Sequence, residues 1–207
     1  MTLAELAVTM MILGIVLAII FAILFSVQRS FGRQQDRSIS NDQARLAVEE
    51  LDREIRSGNL LYDPSTYPAG GNGMQLVIYT QTNATTRNPG NRCVQWKITG
   101  ASDPDYPWTL QRRDWSSVDP INTVSGWRLI AEDVVNNDAS KTGTGTVVPA
   151  FVLDHSQAAY GDRIIKIDIL VNHKTSSGKS VEIQDSVTGR NTQFGYPSTV
   201  CNTVPPG

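Results

Sequence analysis

The side chains that could perform chemistry are few, and none of them shows a catalytic or metal-binding spacing. The 207 residues include 2 Cys and 2 His, so a four-ligand zinc site would need all of them in one place. No CxxC or HxxxH spacing occurs. His155 and His173 have no Cys or Ser in a recognisable nucleophile context. We therefore expect no enzymatic activity, no bound metal and no cofactor.

Two further polar motifs lack a residue that their chemistry requires. Asp103-Pro104-Asp105 could begin a calcium loop, but the spacing of an EF-hand and its terminal glutamate are missing. The alternating threonines and glycines of residues 142–146 lack the lysine of a phosphate-binding loop. We interpret the first motif as a weak calcium candidate and the second as a flexible loop.

The overall composition argues against two classes of protein. A net charge of −2 disfavours a nucleic-acid binder held by bulk basic charge. A hydrophobic fraction of 40% disfavours an intrinsically disordered chain. Four tryptophans could stack on single-stranded DNA, but no basic stripe accompanies them, so core or subunit-contact roles are favoured. They are Trp96, Trp108, Trp115 and Trp127. We expect no nucleic-acid partner.

The most informative element is the apolar segment at residues 6–25, which reads LAVTMMILGIVLAIIFAILF. Thr9 is its only residue with a polar side chain. A helix of this length spans about 30 Å, the thickness of the hydrocarbon core of a bilayer. The segment is apolar on every face, which predicts a transmembrane helix rather than an amphipathic surface helix. A simple anchor and an uncleaved signal peptide are alternatives, although MTLAE lacks the basic n-region of a signal peptide.

Glu5 stands at the edge of this apolar segment, four residues from Met1. A carboxylate at membrane depth is costly and usually marks a specific partner. The α-amino group of Met1 is mostly cationic at neutral pH and could be that partner. A helix N-terminus also favours an acid in its first turn, but this does not explain why the acid precedes a purely apolar run.

Residues 26–56 continue the helix without a proline, and Gly32 is their only glycine. Four apolar residues recur at spacings of four, three and four, which places them on one helix face: Ala44, Val48, Leu51 and Ile55. Opposite charges lie four residues apart on other faces, in the pairs Arg45–Glu49, Glu49–Arg53 and Asp52–Arg56. Ser57-Gly58-Asn59 predicts the end of the helix.

The remainder of the chain is predicted to be rich in β-strands. Alternating and β-branched segments predict strands at residues 74–80, 94–99, 109–113, 127–131, 150–153, 163–171 and 180–187. The second and third should form a hairpin, and the last two should pair across residues 176–178. Only the long helix carries a helical period, so the predicted fold class is α+β, with that helix packed on an antiparallel sheet. The expected organisation is a hydrophobic transmembrane helix (1–27), the amphipathic half of the same helix (28–57) and a β-rich globular region with a C-terminal tail (58–207).

The N-terminal sequence MTLAELAVTMMILGIVLAII resembles the mature N-terminus of bacterial type IV pilins and type II secretion pseudopilins. The positions that match the family pattern are Met1, Thr2, Leu3, Glu5 and Leu6. Many pilins carry a proline later in this helix, whereas this chain has Ala22. The resemblance implies that a prepilin peptidase cuts before Met1 and methylates its amine, and that a short basic leader precedes it. It also implies that Met1 and Glu5 act in assembly.

The order of segments in the head resembles that of minor pilins, the J-type pseudopilins and W-type pilins. These segments are VQWKI, LQRRDW, GWRLIAEDVVN, PAFVLD, IKIDILV and VEIQDSVTGRN, the last ending at Arg190-Asn191. They form a pattern of strands rather than a catalytic signature. The resemblance therefore implies a pilin-like head on the long helix.

Cys93 and Cys201 are the only cysteines. The residues alone leave open two unrelated thiols or a bridge, which an oxidising compartment would favour. Pilin heads often fasten their C-terminal region with a disulfide, so the resemblance implies a bridge between these two residues. Such a bridge would hold the tail GYPSTVCNTVPPG, which has no other obvious anchor.

The resemblance implies that the protein is a structural subunit of an extracellular type IV pilus-like filament. Its expected partners are copies of itself or other pilins in a helical filament, the inner-membrane assembly platform, the prepilin peptidase and, before assembly, membrane lipid. The expected location is the inner membrane as a single-pass precursor, and then the extracellular filament. A minor pilin or pseudopilin at a filament tip is one alternative, and a membrane-anchored adhesin that does not polymerise is another.

Overall fold

The computed structural model describes residues 2–68, 72–81, 90–100, 108–136, 146–156, 163–172, 180–190 and 196–206. Contacts divide the chain into two compact units, residues 1–38 and residues 39–207, called here the helix unit and the sheet unit. The helix α1 (Leu3–Ser57) makes up the helix unit and continues into the sheet unit. Its continuity agrees with the absence of proline from this part of the sequence.

The C-terminal end of α1 lies where the sequence predicts it, at Ser57. In the last turn, the Nε atom of Arg56 lies 2.8 Å from Oδ1 of Asp52, which confirms one of the predicted charge pairs. The next residue is Gly58, where a Cβ atom would lie 2.7 Å from the Cγ2 atom of Ile78. The backbone of Gly58 can approach Ile78 so closely because glycine has no side chain.

The described residues form one sheet of eight antiparallel strands. The strands are β1 (Gly58–Leu61), β2 (Gln75–Gln81), β3 (Asn91–Thr99), β4 (Trp108–Ser116), β5 (Arg128–Val134), β6 (Phe151–Asp154), β7 (Ile164–Val171) and β8 (Val181–Thr188). Their order is β1-β2-β3-β4-β5-β7-β6, and β8 also pairs with β7. The two predicted pairings, β3 with β4 and β7 with β8, are confirmed, although residues 176–178 lie outside the described residues. The short strand β1 was not predicted.

One face of the second half of α1 is buried against this sheet. The predicted face is confirmed, because Ala44, Leu51 and Ile55 have no exposed surface and Val48 is buried. These residues share one hydrophobic cluster with inward-facing side chains of the strands, among them Trp96, Leu110, Phe151, Ile165, Ile167 and Val187. The fold is therefore α+β, with the helix packed on an antiparallel sheet as predicted.

Charged side chains also join α1 to the sheet. The NH2 group of Arg112 donates to Oε2 of Glu54 on the helix at 3.2 Å, and its NH1 group donates to Oδ1 of Asp114 at 3.2 Å. Arg92 on the neighbouring strand forms an ion pair with the same aspartate. The side chains of Arg112, Glu54 and Asp114 are each less than one-fifth exposed. Partly buried pairs of this kind favour one arrangement of helix on sheet, because removing one partner leaves a buried charge.

A buried asparagine bridges the point where the sheet pairing is thinnest. β5 pairs with β7 through a single register position, Val134 with Val171. Next to it, the side chain of Asn136 donates to the carbonyls of Val148 at 3.2 Å and Asp168 at 2.7 Å. Its Oδ1 atom accepts from the amide of Leu170 at 2.9 Å. This fully buried side chain therefore satisfies backbone groups that the interrupted ladder does not pair.

Candidate assembly surface

Glu5 closes the N-terminus of α1 in a reciprocal arrangement with Thr2. The amide of Thr2 donates to Oε2 of Glu5 at 3.0 Å, and the amide of Glu5 donates to Oγ1 of Thr2 at 3.4 Å. This is the capping box of the pattern Thr-x-x-Glu, which satisfies two backbone donors that the helix leaves without partners. The side chain of Glu5 thus has a local structural role, whatever further role its charge has.

The surface of residues 6–25, within the helix unit, is apolar around the whole circumference of the helix. Every residue from Thr2 to Gln35 is exposed. The exposed set includes large side chains pointing in all directions, such as Met10, Ile12, Leu13, Ile15, Phe21, Ile23 and Phe25. Among the described residues, α1 is the one helix that is long and apolar enough to cross a membrane. A surface of this kind in water would be an interaction site or an aggregation liability, so it requires lipid or other apolar helices around it.

Several predicted candidates do not meet in one site. Met1, His173, Asp103 and Asp105 lie outside the described residues. His155 is exposed, and its Nε2 atom lies 3.6 Å from Oδ2 of Asp63. Across the part of the chain that the structure describes, no three His, Cys, Asp or Glu side chains are grouped so that they could hold a metal ion.

The tryptophans differ in their surroundings. Trp96 and Trp115 are buried in the sheet unit, so their rings belong to its core and offer no face to a base. Trp108 is partly buried and packs against the main cluster. Trp127 is also partly buried, and its ring lies 4.3 Å from the Cζ atom of Arg113. The core role favoured from the sequence therefore holds for the first two residues.

The two cysteines are joined in a disulfide between β3 and the C-terminal tail. The Cα atoms of Cys93 and Cys201 lie 5.8 Å apart, and both residues are almost completely buried. The pair that the resemblance implied is therefore the pair that the structure joins. A crosslink between residues so distant in sequence reduces the conformational freedom of the unfolded chain, and this stabilises the folded state.

Two tyrosines hold the peptide groups of Cys201 on both sides. The amide of Cys201 donates to the hydroxyl of Tyr62 at 2.9 Å, and the hydroxyl of Tyr67 donates to the carbonyl of Cys201. The two rings lie 4.8 Å apart. Burial raises the pKa of Tyr62, and burial together with its neighbour Tyr62 raises the pKa of Tyr67 to about 12. Both phenols therefore stay neutral and remain hydrogen-bonding groups over the ordinary pH range.

Arg113 fixes the last described residues of the tail. Its guanidinium donates to the carbonyls of Pro205 at 2.6 Å and Pro206 at 3.1 Å, and its Nε atom donates to Oε1 of Gln95 at 2.9 Å. Arg113 is 4% exposed, and its burial lowers its pKa. The tail is therefore held at two separate points, by the disulfide and by this buried arginine.

Two of these functional contacts were missed by reasoning from the sequence. The capping box could have been found, because Thr2-x-x-Glu5 matches its pattern directly. The contact of Arg113 with the tail had no signal in the sequence. Its partners Pro205 and Pro206 are separated from Arg113 by 92 and 93 positions. Searches of family models, curated proteins and solved structures find no match to this chain.

Proposed function

We propose that this protein is a structural subunit of a type IV pilus-like filament, assembled through the first half of α1. The observation that carries the proposal is one continuous helix whose first half is exposed and apolar on all faces and whose second half is buried on one face. The buried face belongs to a folded sheet unit, so the exposed half is the part that requires external partners. Lipid meets this requirement before assembly, and apolar helices of neighbouring subunits meet it in a filament.

Glu5 supplies the reason to prefer a filament to a simple anchor. Only one of its two carboxylate oxygens accepts from Thr2, and a carboxylate can accept several hydrogen bonds. A negative charge placed among apolar helices is strongly unfavourable unless a cation pairs with it. In the proposed filament, the α-amino group of Met1 of a neighbouring subunit is that cation. This ion pair then stabilises the incoming subunit at the correct axial position in the filament.

The disulfide supports an exported head. Disulfides form and persist in oxidising compartments outside the cytosol, and the structure joins Cys93 with Cys201. The arginines that follow the apolar segment disfavour an orientation with the sheet unit outside the cytoplasm, because basic residues flanking a span favour the cytoplasmic side. A basic segment before residue 1, which the family resemblance implies, would favour the cytoplasmic side for the N-terminal end of the helix and so oppose this effect. The proposed location is thus the inner membrane first and the cell exterior after assembly.

Three variants of the N-terminus separate the charge of Glu5 from its capping role. Glu5→Gln keeps a capping side chain and removes the charge, because glutamine also serves in the capping box. Thr2→Ala weakens the cap and keeps the charge. Glu5→Ala removes both. Filaments sheared from cells carrying each variant are counted by electron microscopy, and formation of the disulfide in each variant verifies that the head is exported and folded.

The proposal predicts that Glu5→Gln and Glu5→Ala lose filaments to a similar extent, whereas Thr2→Ala retains most of them. Normal filament numbers in Glu5→Gln, with losses in Thr2→Ala, would assign Glu5 to helix capping alone. A protein that remains in the membrane in every variant, including the wild type, would favour the anchored adhesin. Filaments that form only with a second, more abundant subunit would favour the minor-pilin alternative.

A further inference from the structure

Three arginines follow the apolar segment at intervals of four residues: Arg29, Arg33 and Arg37. All three are exposed on α1, within the helix unit. An α-helix turns about 100° per residue, so each step of four advances the position by only about 40°. The three side chains therefore form one stripe on one face of the helix, called here the arginine stripe.

The arginine stripe dominates the charge of this part of the chain. Between residues 6 and 38, the only other ionisable side chain is that of Asp36. Three arginines and one aspartate give residues 26–38 a net charge of +2. Asp36 is partly buried. The helix therefore changes from uncharged to basic within a few residues of its apolar end.

The helical rise places the arginine stripe at the depth of lipid headgroups when residues 6–25 span the membrane. At 1.5 Å per residue, Arg29, Arg33 and Arg37 lie about 6, 12 and 18 Å beyond Phe25. A headgroup layer is about 5–7 Å thick on each side of the hydrocarbon core. Side chains of a helix lean towards its N-terminus, which here is the direction of the lipid. Arg29 and Arg33 therefore reach the headgroups, and Arg37 lies within a screening length of about 8–10 Å from them.

We propose that the arginine stripe binds anionic phospholipid headgroups of the leaflet from which the sheet unit emerges. The planar guanidinium donates two parallel hydrogen bonds to a phosphate, and it is less strongly hydrated than an ammonium group. Binding of headgroups by arginines on two successive turns holds the helix at a fixed depth in the membrane before assembly. This inference rests on membrane insertion, which is part of the proposed function, but it does not depend on polymerisation.

Lipid selectivity of the full chain tests the proposal. The protein is reconstituted in phosphatidylcholine bilayers that contain trace amounts of spin-labelled phosphatidylglycerol or spin-labelled phosphatidylcholine. Electron paramagnetic resonance then gives the fraction of each lipid immobilised by the protein. A basic residue near an anionic surface contributes about 1 kcal/mol, so each arginine contacting a headgroup should favour phosphatidylglycerol about fivefold.

The variant Arg29→Gln with Arg33→Gln and Arg37→Gln should abolish this preference. Glutamine has a helix propensity similar to that of arginine, so the helix should persist, and circular dichroism verifies this. The single variant Arg29→Gln should lower the preference partially. Arg45→Gln is the matched control, since it removes an exposed arginine of the same helix that lies eight residues beyond the arginine stripe. It should leave the preference unchanged.

Two results would overturn the assignment: equal immobilisation of both lipids by the wild type, or an unchanged preference in the triple variant. Sodium phosphate and sodium chloride at equal ionic strength form a further arm. Equal weakening by both salts supports a lipid surface, whereas specific competition by phosphate would identify a free phosphate as the ligand and reject the lipid. Glu5→Gln should keep the lipid preference of the wild type, so failure of filament assembly and failure of lipid binding are observed separately.

Discussion

Removing the disulfide should lower the stability of the sheet unit about as much as truncating one of its largest buried side chains. The bridge joins Cys93 to Cys201 across a sequence separation of 108 residues. In the chain-entropy model, a crosslink that closes a loop of this length stabilises the folded state by about 4–5 kcal/mol. The expected loss in Cys93→Ala with Cys201→Ala is therefore about 4–5 kcal/mol, which corresponds to a decrease in Tm of roughly 10–20 °C.

Thermal and urea unfolding of the full chain in detergent, followed by tryptophan fluorescence, measure this loss. Trp115 is a suitable reporter because it lies opposite Cys93 in the register of β3 and β4 and is buried. Either single variant, Cys93→Ala or Cys201→Ala, should be nearly as unstable as the double variant, because one substitution already removes the crosslink. A reductant should destabilise the wild type and leave the double variant unaffected. A double variant within about 1 kcal/mol of the wild type would refute the entropic reasoning.

Two further predictions concern the helix face and the tail. Leu51→Ala should lower the free energy of unfolding by about 2–5 kcal/mol, because Leu51 is fully buried. Leu46→Ala on the same helix is the control, and it should change the free energy of unfolding by less than about 0.5 kcal/mol because Leu46 is 64% exposed. Equal effects of the two substitutions in urea unfolding would contradict the assignment of the buried face. Burial raises the pKa of Tyr67 to about 12, so its neutral form contributes stability that is complete below about pH 10 and is lost as the pH rises through about 12. The stability difference between the wild type and Tyr67→Phe should therefore narrow between about pH 10 and pH 12 in urea unfolding, and a constant difference would show that this phenol does not titrate as described.

The extent of the long helix and the main strands could be predicted because their signals are local. Leu51 and Ile55 mark the buried face by spacing alone, and the alternation of apolar and polar residues marks β3 and β7 as strands. β1 was missed because its Gly58-Asn59 was interpreted only as a helix stop. The strand exists because β2 supplies a partner and because glycine allows the close approach to Ile78. That information lies in the tertiary structure and not in residues 58–61 themselves.

The candidate site was predictable to a smaller degree. Glu5 was identified from its position beside an apolar segment, but the same carboxylate was not connected with Thr2, although their spacing is that of a capping box. The link between Cys93 and Cys201 followed from a family resemblance rather than from geometry. The contact of Arg113 with Pro205 depends on the path of the tail over the sheet, and a path of this kind has no periodic signature in the sequence.

The measurement that tests the proposed function most directly is immunogold electron microscopy of filaments sheared from cells that produce this protein, with antibodies against the sheet unit. Assembly through the first half of α1 predicts gold along the whole length of helical filaments, together with Met1 at the N-terminus of the filament protein in peptide sequencing. Gold restricted to the cell membrane, with no labelled filament in the sheared fraction, would contradict assembly through the first half of α1. Gold at filament tips alone would identify the protein as a minor subunit at the tip and not as the main subunit of the filament.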